Sequence, residues 1–340
     1  MKTIRNTLAL IFILFLTASV TGGQEKPALT RVDRIRLAEA FSLGEKLEDK
    51  LWAGWSQAPF AVLLVTPDKE FLIRHPGPTD DFTSIGYDPV LRSDVYYRDR
   101  KFAPNLLATF PAVGGISTIV IGQAENTNSK TSTEWVVTLL HEHFHQLQDS
   151  QPGMYKETEA LNLSRGDQTG MWMLNYPFPY TSSEVGQHFS LLATRLVEAM
   201  EVGPKAQFSS KLASYLEARK ALKNALAADD YKYLSFQLWK EGIARYTEYR
   251  VAQWAASNYQ PGREFRELKD YTTFATVADR IRQGIVSQLS TLKLESSKRI
   301  AFYPLGAAEG LLLDRANPQW RRSYFSEKFD NEKYFTRKSQ

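Results

Sequence analysis

Apolar positions return at helical spacing over residues 31–52, at Val32, Ile35, Leu37, Ala38, Phe41, Leu47 and Leu51, which predicts an amphipathic helix. The texture then changes. Residues 61–65 and 70–74 are short runs rich in Val, Leu, Ile and Phe, separated by Pro67-Asp68-Lys69, and they read as two strands joined by a hairpin-like connection. Residues 93–97, 106–111 and 116–121 are further strand candidates, punctuated by Pro and Gly. Helical spacing comes back at Val136, Leu140, Phe144 and Leu147, preceded by a T-x-x-E capping box at Thr131 and Glu134. Opposite that stripe lie Thr138, His141, His145 and Asp149.

Residues 152–183 are irregular and hold Met171-Trp172-Met173 and Tyr176-Pro177-Phe178-Pro179-Tyr180. An aromatic loop of this kind either lines a cleft for apolar side chains or packs elements together, and packing is the commoner use. A second capping box, Thr181 and Glu184, opens a helix through Leu191, Leu192, Leu196, Val197 and Met200. Helical patterns then fill the chain at 205–228, 231–257 and 262–292. A last helix at 307–315 is introduced by Tyr303-Pro304-Leu305-Gly306 and stopped at Asn317-Pro318. Strands first and helices afterwards predict an α+β, two-lobed fold: residues 24–150 form an α/β lobe and residues 151–340 a helical one.

At the amino terminus Lys2 and Arg5 precede the apolar run 8–16 and the small and polar residues 17–23. This is the pattern of a signal peptide over residues 1–23, cleaved within 19–24, with an apolar run short for a membrane span. The chain has no cysteine, so neither a lipobox nor a disulfide is possible. The expectation is a secreted or periplasmic protein of a bacterial envelope, without stable membrane insertion once the signal is removed. The whole chain has 42 basic and 38 acidic residues; removing Lys2 and Arg5 leaves 40 against 38, a net charge of about +2. With no basic stripe, nucleic acid is not an expected partner.

The chemistry is concentrated in His141-Glu142-x-x-His145. Positions four apart on a helix lie about 40° from each other, so both imidazoles face one way and can share a zinc ion. Glu142 stands beside the first histidine, where a carboxylate can act as general base on a water at the metal. His143 points to the opposite, apolar side and reads as a packed histidine. A strand-type H-x-H-x-H triad conflicts with the helical flanks. The third ligand is left open between His188, the one histidine downstream, and carboxylates that include Glu157, Glu159, Glu198, Glu201 and Glu241. Glu241 stands out, because Gly242 and Ala244 beside it let another helix approach closely and Glu248 follows on the same face.

His141-Glu142-x-x-His145-x-x-Gln148-Asp149 followed by Glu241-Gly242-x-Ala244-x-Tyr246-x-Glu248 resembles the gluzincin metallopeptidases of the H-E-x-x-H-x-x-Q type. The resemblance covers mainly residues 115–250. It implies a zincin-like fold with a small mixed sheet, zinc held by His141, His145 and Glu241, Glu142 as general base, and Glu248 orienting a ligand. It also implies hydrolysis of a peptide or protein substrate, with an oxyanion-stabilising group to be found among Tyr303, Tyr246, Arg245 and His188; Tyr303 is preferred. By chain order, residues 117–122 correspond to the strand that pairs with extended substrate in thermolysin-like peptidases, or else simply close the sheet. Two rival readings remain: a zinc hydrolase of a non-peptide amide or ester, and an inactive zinc-binding envelope protein.

Overall fold

The computed structural model describes residues 27–336, so the expected signal peptide lies outside the described residues. Helix α1 (Arg31–Leu47) starts where the Thr30 side chain accepts the Asp33 N–H, and ends at Glu48 with φ 41°. A six-stranded mixed sheet follows: β1 (Val62–Val65), β2 (Lys69–Ile73), β3 (Thr83–Asp88), β4 (Ser93–Asp99), β5 (Leu107–Val113) and β6 (Ile116–Gly122). Its order is β3-β4-β2-β1-β6-β5, with β1 parallel to β6 and the other pairs antiparallel. Strand β1 is buried on both faces, which is why its sequence is a continuous apolar run without alternation.

One face of the sheet, through Val62, Leu64, Phe71, Ile73, Ile119 and Ile121, joins the main core. The other packs Leu63, Val65, Leu72, Val113 and Val120 into a smaller cluster with Phe82, Phe102 and Phe110. On the main-core side lies α2 (Ser132–Asp149), whose N-cap Thr131 accepts the Glu134 N–H. Instead of having one wet face, α2 is buried almost all round.

The remaining long helices are α3 (Ser183–Glu201), α4 (Lys205–Ala225), α5 (Ala228–Gln237), α6 (Ile243–Asn258), α7 (Phe274–Ser290) and α8 (Phe302–Ala316). A π-helical segment, Leu238–Gly242, joins α5 to α6. The class is α+β, with a mixed sheet and a helical carboxy-terminal part.

Several expected boundaries move, for identifiable reasons. The 262–292 helix is broken, because Thr273 caps a fresh start by accepting the Thr276 N–H. Tyr303 and Pro304 belong to the first turn of α8, where proline loses no hydrogen bond. The 117–122 run is interior to the sheet, between β1 and β5. The free edge on that side belongs to β5. Gly122 donates its N–H to Leu106 O at 2.9 Å, which fixes the phase of the antiparallel ladder. Residues 108 and 110 therefore bond towards β6, and the backbone groups of Leu107 and Thr109 face the open edge.

Candidate metal centre

His141 and His145 lie one turn apart on α2, with ring centroids 5.0 Å apart and planes at 77°. Glu241 reaches them from the π segment, its Oε2 3.5 Å from His145 Nε2. Two glycines bring α8 against the π segment that carries Glu241. A Cβ on Gly242 would stand 2.4 Å from Gly306 Cα, and one on Gly306 would stand 2.6 Å from Leu238 O. The small residue beside Glu241 therefore admits a helix, and that helix is α8. Ligand-type atoms of His141, His145 and Glu241 all lie within 4.8 Å of one another. Two imidazoles and a carboxylate converging in a largely buried position form a group that can hold a metal ion.

Each histidine has an outer partner. Glu248 Oε2 faces His141 Nδ1 at 3.3 Å, and Gln148 Oε1 lies 2.6 Å from His145 Nδ1. Both carboxylates are held in their charged form. Burial works to raise Glu241, but His145, Arg299 and His141 outweigh it and keep that carboxyl well below the ordinary range. Burial likewise opposes Glu248, which Arg245 and His141 nevertheless bring down to about 2.

Glu142 is buried, and the Thr109 hydroxyl of β5 reaches its carboxylate Oε2 at 2.7 Å. The same hydroxyl lies 3.1 Å from the Glu142 carbonyl oxygen. The Tyr303 hydroxyl accepts from Arg299 Nη1 at 3.0 Å and feels the Glu241 charge. It is kept protonated by burial and by the Glu241 charge. Tyr303 thus stands near Glu241, beside the candidate ligands.

No family model, curated protein or solved structure matches this chain. The centre therefore rests on its own geometry.

Tyr246 points elsewhere, giving its hydroxyl to Asp314 at 2.7 Å, and the Arg245 guanidinium is taken by Glu248. His188 is half-exposed on α3, outside the cluster. Glu157 pairs with Lys328, and Glu198 with Arg195 and Lys211. His143 takes the opposite side of α2, its ring stacked on Phe60 at 3.8 Å and 5°. Burial pushes it down to about 4, so it stays neutral there. The aromatic loop packs: Tyr176 stacks on Tyr233 at 4.3 Å, and Phe178 meets Phe189 and Phe302. The sequence motifs give no role to Thr109, Arg299 or Gln148. Only Gln148 carried a signal, since it lies three positions after His145 on the same helix.

Proposed function

We propose that the protein is a zinc-dependent peptidase with His141, His145 and Glu241 as ligands and Glu142 as general base. The observation that carries this reading is the convergence of those three donors beside a buried Glu142. The donor set suits zinc, which takes imidazole nitrogen and carboxylate oxygen in a site with one position left open. A zinc ion held there supplies Lewis-acid polarisation of a carbonyl and lowers the pKa of water.

The rest is done by the chain. Glu142 accepts a proton from the attacking water and returns it to the departing amine. Thr109 holds the Glu142 carboxylate in place for that transfer. Tyr303 is the preferred donor to the oxyanion, being protonated and set against Glu241. Glu248 and Gln148 orient the histidines.

The open edge of β5 favours a peptide over another amide or ester. Thr109 presents backbone N–H and C=O groups at the edge while its side chain touches Glu142, so an extended chain added there would lie beside the base. Secretion or periplasmic location belongs to the same proposal. Among the described residues, no helix is long and apolar enough to cross a membrane.

The test is Glu142→Gln, which keeps shape and removes the proton acceptor. We expect zinc content to be retained and cleavage of a peptide library to fall by roughly 10²–10⁴-fold or more. Wild-type protein that carries zinc and cleaves no peptide would shift the reading to a non-peptide hydrolase or an inactive binder. A Glu142→Gln variant as fast as wild type would remove Glu142 as the base.

A further inference from the structure

Helix α2 uses the same device twice. His143 and His145 each meet a glutamine three residues later: His143 Nδ1 lies 2.9 Å from Gln146 Oε1, and His145 Nδ1 lies 2.6 Å from Gln148 Oε1. The orientation of each amide is set by its other end. Gln146 Nε2 donates to Ala61 O at 3.0 Å and Ser117 O at 2.9 Å. Gln148 Nε2 faces Lys240 O at 3.1 Å, Trp239 O at 3.4 Å and the Tyr324 hydroxyl at 2.7 Å. Carbonyl oxygens only accept, so both amides must turn their oxygen to the imidazole. An amide oxygen also only accepts, so Nδ1 carries the proton in both rings. For His145 this leaves Nε2, which stands 3.5 Å from Glu241 Oε2, as the nitrogen that can give its lone pair to a metal once the ring is neutral.

The two pairs then part company. Gln146 ties a non-ligand histidine to the sheet. Gln148 ties a ligand histidine to the π segment, and Lys240 is the residue immediately before Glu241. Tyr324 completes the link, giving its own proton to Trp239 O at 2.5 Å. A π turn is one residue wider than an α turn and is uncommon without support. Here the carbonyls of two of its residues receive side-chain donors from α2 and from Tyr324.

We propose that Gln148 is a positioning residue that builds two ligands at once. Its oxygen selects the His145 tautomer that can coordinate through Nε2, and its amino group holds the π segment in the register that presents Glu241. This rests on the reading of His141, His145 and Glu241 as the zinc site. Gln146, equally buried on the same helix, is an internal control, since it makes the same kind of bonds away from the metal.

The experiment is competitive zinc titration of the full chain against a chromophoric chelator, with thermal unfolding of the metal-free protein alongside. Gln148→Met should weaken zinc by about 10–100-fold, while Gln146→Met should stay within about two-fold of wild type even where it lowers the unfolding temperature. Gln148→Asn, one methylene too short to reach both sides, serves if the methionine variant does not fold, and should weaken zinc in the same direction. In ¹⁵N-histidine spectra of the metal-free protein, recorded at a pH high enough to keep the ring neutral, wild-type His145 should show Nδ1–H, and Gln148→Met should lose that preference. Zinc affinity unchanged in the Gln148 variants, or lost equally in Gln146→Met, would overturn the proposal. Wild-type protein that takes up no zinc would overturn the metal reading itself. The tautomer would then decide for Gln148: its loss in Gln148→Met supports the role, and its persistence removes it.

Discussion

The Thr109 hydroxyl has one proton and two acceptors within reach, the Glu142 carboxylate and the Glu142 carbonyl. Replacing it with valine keeps the branched shape and removes the only side chain seen bonding to that carboxylate among the described residues. Thr109→Val should therefore retain zinc and lower kcat about ten-fold, a fraction of the roughly 10²–10⁴-fold that a placed general base contributes. Steady-state rates with zinc content measured on the same samples check this, and an unchanged kcat would leave Thr109 with a packing role. The contrast between Thr109 and His145 shows what was legible. His141, Glu142 and His145 could be read because a helix turns chain spacing into spatial proximity. Thr109 lies 33 residues from Glu142, on a strand whose pairing decides where it points, and nothing local encodes that. Glu241 fell between the two cases, visible through its small neighbours though not through its distance along the chain.

At the scale of elements, the strands were most legible where burial is two-sided, as in β1, β2 and β6. Strand β3 was not, because it is an edge strand with no buried position. The π segment was invisible too, since an apolar stripe at helical spacing survives one inserted residue. Of the small residues around it, Gly242 was informative as the mark of a contact with α8. That contact gives a sharp expectation. A methyl group on Gly306 would meet Gly242 Cα at 2.5 Å and Leu238 O at 2.6 Å, both backbone atoms that cannot swing aside. Gly306→Ala should push α8 off the π segment and cost about 3 kcal/mol or more of stability. Because Glu241 rides on that segment, zinc affinity should fall as well. Gly284→Ala, on α7 with open space around it, should change neither. Denaturant unfolding with parallel zinc titration distinguishes the two variants.

For the whole molecule, the question is whether metal and fold are separable. The main core runs from Ile35 to Tyr334 and draws on the sheet and all the long helices. A core of that extent does not depend on one ion, unlike small domains that unfold without metal. On the proposed reading zinc would add linkage: it would bind the folded chain, where His141, His145 and Glu241 already converge. At a free zinc concentration about 1,000 times Kd that contribution is about 4 kcal/mol, worth roughly 5–10 °C in Tm for a chain of this size. Chelation should therefore lower Tm by that order while the far-ultraviolet signal at 25 °C stays folded, and zinc should restore it. Glu241→Ala should lose most of the zinc-dependent increment, since a two-histidine remnant holds the ion weakly. Glu159→Ala, at an exposed position outside the cluster, should keep it. If chelation unfolds the protein at 25 °C, the ion is part of the fold. If Glu159→Ala loses the increment and Glu241→Ala keeps it, the third ligand lies elsewhere.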